Sequence, residues 1–160
     1  MNLFELKSIN IDGKKVSYDY TVPEKVKKYL YDGQLFIEYS GEVELEKIPK
    51  GILSVPFVAN ILTISMLTDC GIKVRCLDKT FYESIKKIEK VYRNMFPYLK
   101  LTFDVSADEI EECTYNASKE KTLFFTGGLD ATSALASVYQ KGITLINIWG
   151  GHFLGGLRIS

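Results

Sequence analysis

The sequence predicts an α+β domain followed by the first βαβ unit of an α/β, parallel-sheet domain. Short runs of alternating apolar and polar residues, separated by turn signals, dominate residues 3–49 and are typical of strands. Helical patterns then alternate with short apolar runs up to residue 105. A polar stretch, predicted to be a linker at 109–121, precedes one apolar, one helical and one further apolar segment. The predicted domains are therefore residues 1–108 and, as a partial domain, residues 122–160.

Composition indicates a packed globular chain and excludes some partners. Of the 160 residues, 46% are hydrophobic and 25% are charged, which is typical of a protein with a core. The 20 basic residues balance the 20 acidic ones, so no overall basic field attracts nucleic acid. The first residues show no signal-peptide pattern. The odd number of cysteines and the missing signal peptide predict reduced thiols in a cytoplasmic protein. Cys70, Cys76 and Cys113 lack the spacing of a paired zinc site, so we expect them to be small buried residues.

The first predicted elements form a β-hairpin. Leu3 to Ile11 and Lys15 to Tyr20 flank Asp12-Gly13, which is a frequent two-residue hairpin turn. The pattern then predicts three short elements, namely a helical turn over 24–30, a strand over 35–40 and a strand at Val43 to Leu45.

The most apolar segment, residues 51–67, predicts a buried helix. Ser54 is the expected N-cap, Pro56 lies in the expected first turn, and the helix is expected to end at Thr68. The segment is shorter than the roughly 20 apolar residues that cross a bilayer. No membrane partner is therefore expected.

A second helix follows a predicted strand at 72–77 and is strongly amphipathic. Asp78 or Thr80 is the expected N-cap, and Thr80 with Glu83 fits the capping-box pattern. Apolar residues then recur every three or four positions until a proline ends the helix. The apolar run from Leu101 to Val105 predicts the next strand.

The predicted second domain begins with one strand–helix–strand unit. We expect a strand at Thr122 to Phe125, a helix at about Ala131 to Gln140 and a strand at Ile143 to Trp149. Such units pair their two strands in parallel through a right-handed crossover. The glycine-rich tail at 150–160 has no secondary-structure pattern.

The loop inside this unit, Thr126 to Thr132, carries the clearest chemistry. Gly127 and Gly128 allow backbone conformations in which N–H groups face an anion. The following helix adds unpaired N–H groups and the positive end of its dipole, and the two threonine hydroxyls add hydrogen bonds. Asp130 repels phosphate by itself, so it indicates either a bridging divalent cation or a helix cap.

The loop resembles the PP-loop signature, Ser-Gly-Gly-x-Asp-Ser, of the ATP pyrophosphatase superfamily, with Thr-Gly-Gly-Leu-Asp-Ala at 126–131. Thr126 keeps the hydroxyl of the first serine. Ala131 lacks that of the last serine, and Thr132 offers a hydroxyl at the next position. The resemblance covers about residues 121–150 and implies a Rossmann-like nucleotide domain.

This resemblance implies an AMP-forming enzyme. Members cleave ATP between the α- and β-phosphates and adenylate an oxygen of a substrate, and a nitrogen or sulfur nucleophile then displaces AMP. They include amidotransferase synthetases, tRNA thiolation enzymes and 7-cyano-7-deazaguanine synthase, so amide, nitrile or thio-group formation on a small-molecule or tRNA-related substrate is implied. ATP and Mg²⁺ are the implied cofactors, with Asp130 as the metal ligand and the following nucleotide contacts: Thr126, Gly127, Gly128, Leu129, Asp130, Ala131 and Thr132.

Two other interpretations of the loop stay open. In one it is only a tight βα turn with Asp130 as a helix cap, and the chain is a non-catalytic α+β protein-interaction module. In the other it is the phosphate-binding turn of a different nucleotide fold. A Walker-type loop is disfavoured because the sequence has no Gly-x-x-x-x-Gly-Lys-Ser/Thr pattern, and no Gly-x-Gly-x-x-Gly is present either.

The predicted second domain is shorter than a nucleotide domain of this superfamily. A nucleotide domain of this superfamily contains more parallel strands than the two predicted after residue 121. We therefore expect a truncated chain that lacks later βα units. Its expected partners are a missing C-terminal domain or a second copy, beside ATP and the substrate.

Overall fold

The structure is a computed structural model that describes residues 2–28, 30, 35–39, 43–114, 122–138 and 143–146. The chain divides into two compact units, Met1–Thr114 and Tyr115–Ser160. The first unit is a mixed α+β structure, and the second contains one parallel βαβ unit.

The described part of the first unit contains five strands and three α-helices. In chain order they are β1 Leu3–Asp12, β2 Lys15–Thr21, α1 Glu24–Lys27, β3 Phe36–Glu38, α2 Lys50–Thr68, β4 Gly71–Asp78, α3 Lys79–Met95 and β5 Val105–Glu111, with a 3-10 turn at Leu45–Lys47 before α2. The second unit contains β6 Thr122–Phe124, α4 Leu129–Val138 and β7 Thr144–Ile146.

One five-stranded sheet organises the first unit, in the order β3-β2-β1-β4-β5. The β1–β2 and β2–β3 pairs are antiparallel, whereas the β1–β4 and β4–β5 pairs are parallel. Only β2 therefore runs against the other four strands. The prediction of an α+β arrangement in this part of the chain is confirmed, and the predicted hairpin is β1–β2, with Gly13 at φ +57° in its turn.

The core lies on one face of this sheet, under α2. Phe4, Ile72 and Val74 point into it from β1 and β4, and Phe57 enters it from α2; all four are at most 1% exposed. On the other face Lys73 makes ion pairs with Glu5 and Asp108, at 4.0 and 3.7 Å. The alternation of buried and charged residues along the strands therefore separates a packed face from a polar face.

The prediction of a buried apolar helix is confirmed, but its predicted start at Ser54 is wrong. Pro49 is the N-cap and α2 begins at Lys50. Ser54 lies inside the helix, where its hydroxyl donates to the Lys50 carbonyl at 3.1 Å. By length and composition α2 meets the requirement for a membrane span, with a mean hydropathy of 1.7, and half of that stretch is buried inside the structure.

Two predicted strands are wrong, one because the chain forms a local 3-10 turn and the other because the strand lies later in the sequence. At Val43 to Leu45 the chain enters a 3-10 turn, in which Lys47 N–H donates to the Glu44 carbonyl and Leu45 is completely buried. The strand predicted at Leu101 to Val105 lies at Val105–Glu111 instead. Thr102, which lies three residues before this strand, donates its N–H to the carbonyl of Met66 near the end of α2.

The strand β5 is polar because it is an edge strand, so its sequence resembles a linker. Ser106, Asp108 and Glu109 are exposed along it. Residues 109–111, which the sequence assigned to the linker, are its last three residues. The helix α3 that precedes it is capped by Asp78, whose carboxylate accepts from Phe81 N–H at 2.7 Å, so the Thr80 capping box is not used.

The predicted βαβ unit is confirmed for the described residues of the second unit. The strands β6 and β7 are parallel, with Thr122 opposite Thr144 and Phe124 opposite Ile146. The helix between them begins at Leu129, two residues before its predicted start. The predicted helix end at Gln140, the strand continuation over 147–149 and the tail at 150–160 lie outside the described residues.

Candidate functional site

The loop from Thr126 to Gly128 joins β6 directly to α4. Phe125 N–H donates to the Ile146 carbonyl at 2.8 Å, so the chain is still held beside β7 one residue before the loop. Gly127 then has φ +80°, in the left-handed region that disfavours any side chain. This turn redirects the backbone from the strand into the helix within three residues.

The N-terminus of α4 falls at this turn. The first helical hydrogen bond runs from Thr132 N–H to the Gly128 carbonyl at 2.9 Å, so Gly128 is the N-cap. The N–H groups of residues 129–131 have no acceptor within the helix and point outward from its start. The Thr132 hydroxyl also donates to the Gly128 carbonyl at 2.9 Å, so its proton is directed into the helix rather than toward a ligand.

Asp130 lies in the first turn of α4 and is exposed. Because the N-cap is Gly128, Asp130 is not the helix cap that it would be if the loop were only a tight βα turn. None of the described residues forms a hydrogen bond or ion pair with its carboxylate. The helix dipole favours a negative charge at this position, and the carboxylate is accessible to a cation from solvent.

The structure places all seven sequence-predicted site residues on one exposed helix start. Leu129 is 84% exposed, so its contribution to any ligand is through its backbone N–H. Within the described ranges no cluster of three or more His, Cys, Asp or Glu side chains could hold a metal. A cation at Asp130 therefore needs oxygen ligands from elsewhere, as Mg²⁺ finds in the phosphates of a nucleotide.

A second candidate site, missed by the sequence interpretation, is a cleft in the first unit. β1 pairs with β4 only from Leu3 to Glu5, and its ladder with β2 has a register shift between Leu6 and Ser8. Beyond these pairs a cavity of about 660 Å³ opens between the two strands. It is lined by Leu6, Lys7, Ser8, Ile9, Ile11, Lys47, Ile48, Pro49, Lys50, Leu53, Ser54, Arg75, Cys76, Glu109 and Glu111.

This cleft lies toward the carboxyl end of β4, where β1 no longer pairs with it. Open α/β sheets often bind ligands at the carboxyl ends of their parallel strands. Arg75 and Cys76 of β4 and Glu109 and Glu111 of β5 come from these carboxyl ends.

A carboxylate joins three elements at the base of the cleft. Glu111 Oε2 accepts from Gly51 N–H at the start of α2, at 2.7 Å, and from the Cys76 thiol at 3.4 Å. A Cβ on Gly51 would meet the Asp78 nitrogen at 2.8 Å and the Leu77 carbonyl carbon at 3.0 Å. Burial, the bond to Glu111 and the negative charge of Glu109 raise the pKa of Cys76 to about 11.

The cysteines behave as the sequence predicted in most respects. All three are free; Cys70 and Cys76 are buried, and Cys113 is partly exposed. Burial raises the pKa of Cys113 as well, and the charges of Glu111 and Asp78 act in the same direction. The charged neighbours that shift the pKa values of Cys76 and Cys113 are negative, which is the opposite of the electropositive surroundings of a reactive cysteine.

Four cationic side chains line the cleft together with the carboxylates of Glu109 and Glu111. Lys7 is paired with Glu5 and Lys47 with Glu44. Lys50 and Arg75 are exposed, and neither has an ion pair with any residue that the structure describes. Sequence patterns did not reveal this site, because its residues come from four separate stretches of sequence that only the fold brings together.

Comparison with protein-family models, curated proteins and solved structures finds no match for the chain. The fold therefore defines only a mixed α+β unit followed by a parallel βαβ unit. Function has to be argued from the two sites themselves.

Replacing Gly51 by alanine is expected to destabilise the first unit, although alanine favours helices over glycine. The added methyl group meets backbone atoms at the end of β4, and overpacking of this kind costs about 1–3 kcal/mol. Urea unfolding followed by circular dichroism measures the effect. The exposed α2 variant Thr63→Ala serves as the control and should not lower the stability, because alanine also favours the helix over threonine. A Gly51→Ala protein as stable as the wild type would contradict the described contact.

Cys76 is expected to resist alkylation at neutral pH. Its pKa is raised from 9.0 to about 11, so the folded protein favours the neutral thiol. The resulting stabilisation is fully present below pH 9 and is lost as the pH rises through about 11. Peptide mass spectrometry after brief iodoacetamide treatment over a pH series measures each thiol separately. The account is wrong if Cys76 reacts faster than the partly exposed Cys113 at neutral pH.

Proposed function

We propose that residues 126–132 bind the phosphates of ATP and that the protein is a PP-loop ATP pyrophosphatase-like, AMP-forming protein. The observation that carries this proposal is the position of Gly127, which has φ +80° immediately before the start of α4. Phosphate binding at the turn between a strand and a helix uses the outward N–H groups and the positive dipole end together.

The parallel pairing of β6 and β7 supports the nucleotide interpretation over an isolated turn. A parallel strand pair joined by a helix is the repeating unit of nucleotide-binding α/β sheets. The N–H groups of Leu129, Asp130 and Ala131 are the donors closest to the turn. The Thr126 hydroxyl lies beside Gly128, 3.7 Å from where a Cβ would stand on that residue. In this proposal these groups hold the phosphates, and Thr132 contributes to the helix start.

The proposed role of Asp130 is to hold Mg²⁺. A lone carboxylate beside a phosphate site is repulsive unless a divalent cation lies between them. Mg²⁺ commonly takes one or two protein carboxylates, with waters and substrate phosphates completing its shell. The exposure of Asp130 is compatible with such a shared site.

The reaction itself rests on the resemblance of the loop to the PP-loop signature. It proposes attack on the α-phosphate of ATP by a substrate oxygen, with pyrophosphate as the leaving group and an adenylate as the intermediate. The substrate, a small molecule or a tRNA-related molecule, is proposed only as a class.

The alternative proposal is a non-catalytic interaction module. It is favoured by apolar exposure in the second unit, where Phe124 is 64% exposed, Leu145 45% and Ile146 38%. Exposed apolar side chains that cluster are typical of surfaces that bind another protein. In this case the loop at 126–128 serves only to connect β6 and α4.

The ATP proposal predicts Mg²⁺-dependent binding that depends on Asp130. Isothermal titration calorimetry of the chain with ATP should show binding with Mg²⁺ and much weaker binding with EDTA. Asp130→Ala should weaken it by about tenfold or more, a loss of about 1.4 kcal/mol, because a metal ligand is removed. Glu83→Ala, which removes an exposed carboxylate from α3, is the matched control and should leave the affinity unchanged.

Two results would decide for the alternative proposal. The first is the absence of ATP binding by a chain whose circular dichroism spectrum shows that it is folded. The second is a defined oligomer in light scattering that Phe124→Ser converts to monomer. ATP binding with equal affinity in the wild type and in Asp130→Ala would instead show that Asp130 does not hold Mg²⁺.

A further inference from the structure

Four exposed apolar side chains lie together at the end of α3 and in the turn after it. Val91 is 52% exposed, Met95 61%, Tyr98 77% and Leu99 40%. Val91 and Met95 are four residues apart, so they follow each other along one side of the helix. We call these four residues the α3 tip. Clustered apolar side chains of this size are typical of surfaces that bind a partner.

The turn after α3 holds the tip outward. Leu99 N–H donates to the Phe96 carbonyl at 3.0 Å. The Phe96 ring packs against the rings of Tyr92 and Tyr98, with centroid distances of 5.9 and 6.3 Å. The tip therefore protrudes from an ordered part of the first unit, and the high exposure of its side chains shows that they do not line a groove.

The surroundings of the α3 tip are basic, although the chain as a whole has no net charge. Residues 86–100 contain five cationic side chains, and the one carboxylate, that of Glu89, already forms an ion pair at 2.9 Å within α3. Lys87 lies one turn before Val91 on the same side of the helix, and Lys90 is one turn beyond Lys87. Neither lysine has a hydrogen bond or an ion pair with any residue that the structure describes.

A carboxylate at the end of α2 does not offset these two lysines. Asp69 faces the positive charges of Lys25 and Lys100 and accepts from the Thr102 hydroxyl at 2.7 Å. Its negative charge is therefore balanced by other groups. The free charge beside the α3 tip is positive.

Charge and shape together favour an anionic lipid surface as the partner of the tip. The second unit, residues 115–160, has four basic and two acidic residues, so its charge is not complementary. A second copy offers the acidic stretch at 104–112, but Asp108 and Glu112 already pair with lysines of their own chain. A protein partner would also need a groove shaped to receive the protruding side chains. A fluid bilayer accepts them without a fixed shape.

We propose that the α3 tip inserts into the headgroup region of an anionic lipid bilayer, with Lys87 and Lys90 beside the anionic headgroups. Tyrosine suits this boundary because its ring is apolar and its hydroxyl stays in water. Lysine reaches the headgroups through a long apolar stem. The association is peripheral, so it needs no membrane-spanning segment, and it does not rest on the function proposed for the loop at 126–132.

Flotation of the full chain with lipid vesicles tests the proposal. The chain should bind vesicles of phosphatidylcholine with phosphatidylserine, and binding should fall at high salt because the attraction is screened. Lys87→Gln should weaken binding by about fivefold, which is the usual effect of one cation beside an anionic surface. Lys86→Gln is the matched control. Lys86 lies almost opposite Met95 on α3, since successive helical residues are about 100° apart, so this variant should bind as the wild type does.

The apolar contribution is tested with the double variant Tyr98→Ser and Leu99→Ser. Both side chains are exposed, so the variant should fold. It should bind the anionic vesicles at least about tenfold more weakly, because apolar surface is no longer removed from water. Phe124→Ser, which removes an exposed aromatic ring from the second unit, is the control and should leave vesicle binding unchanged.

Three vesicle results would overturn the proposal. They are no binding of the wild type to anionic vesicles, equal binding to vesicles of phosphatidylcholine alone, and unchanged binding of both Lys87→Gln and the double variant. Light scattering without lipid gives a fourth. A dimer that the double variant converts to monomer would show that the α3 tip joins two copies of the chain instead.

Discussion

The first unit depends on the contact between Glu111 and the start of α2. This carboxylate accepts from Gly51 N–H at 2.7 Å and from the Cys76 thiol at 3.4 Å, so one side chain joins β5, α2 and β4. Helix starts need acceptors for their N–H groups, and Glu111 supplies one from 60 residues away. Gly51 permits this approach because it adds no Cβ between the helix and the end of β4.

The same contact shapes the cleft. By fixing the start of α2 over the ends of β4 and β5, it places Lys50 and Pro49 opposite the diverging part of β1. It also removes the helix dipole as a free anion site, since a carboxylate of the protein already occupies that position. What is left for a ligand is the apolar lining and the charged side chains of the cleft.

Local patterns in the sequence predicted the elements that depend on local interactions. The hairpin at Asp12-Gly13, the amphipathic α3 and the β6–α4–β7 unit are of this kind. The predicted start of α2 at Ser54 failed because its true N-terminal acceptor, Glu111, is distant in sequence. The strand β5 was displaced in the prediction because an edge strand does not need an apolar pattern.

The two candidate sites also differ in whether local sequence patterns predict them. The loop at 126–132 was found from sequence because its seven residues are contiguous and their glycines and aspartate have a direct chemical meaning. In the structure the N-cap is Gly128, and the Thr132 hydroxyl donates to the Gly128 carbonyl within the helix. The cleft could not be found, because parallel pairing of β1 with β4 brings together residues that are distant in sequence, such as Leu3 and Gly71.

The central claim is that the turn before α4 binds nucleotide phosphates. An amide NMR titration of the chain with Mg²⁺ and a non-hydrolysable ATP analogue tests it most directly. The account predicts saturable shifts of Gly127, Gly128 and Asp130 that disappear without Mg²⁺, while Gly51 in the cleft is unaffected. Unchanged signals for Gly127 and Gly128 at saturating analogue would contradict it.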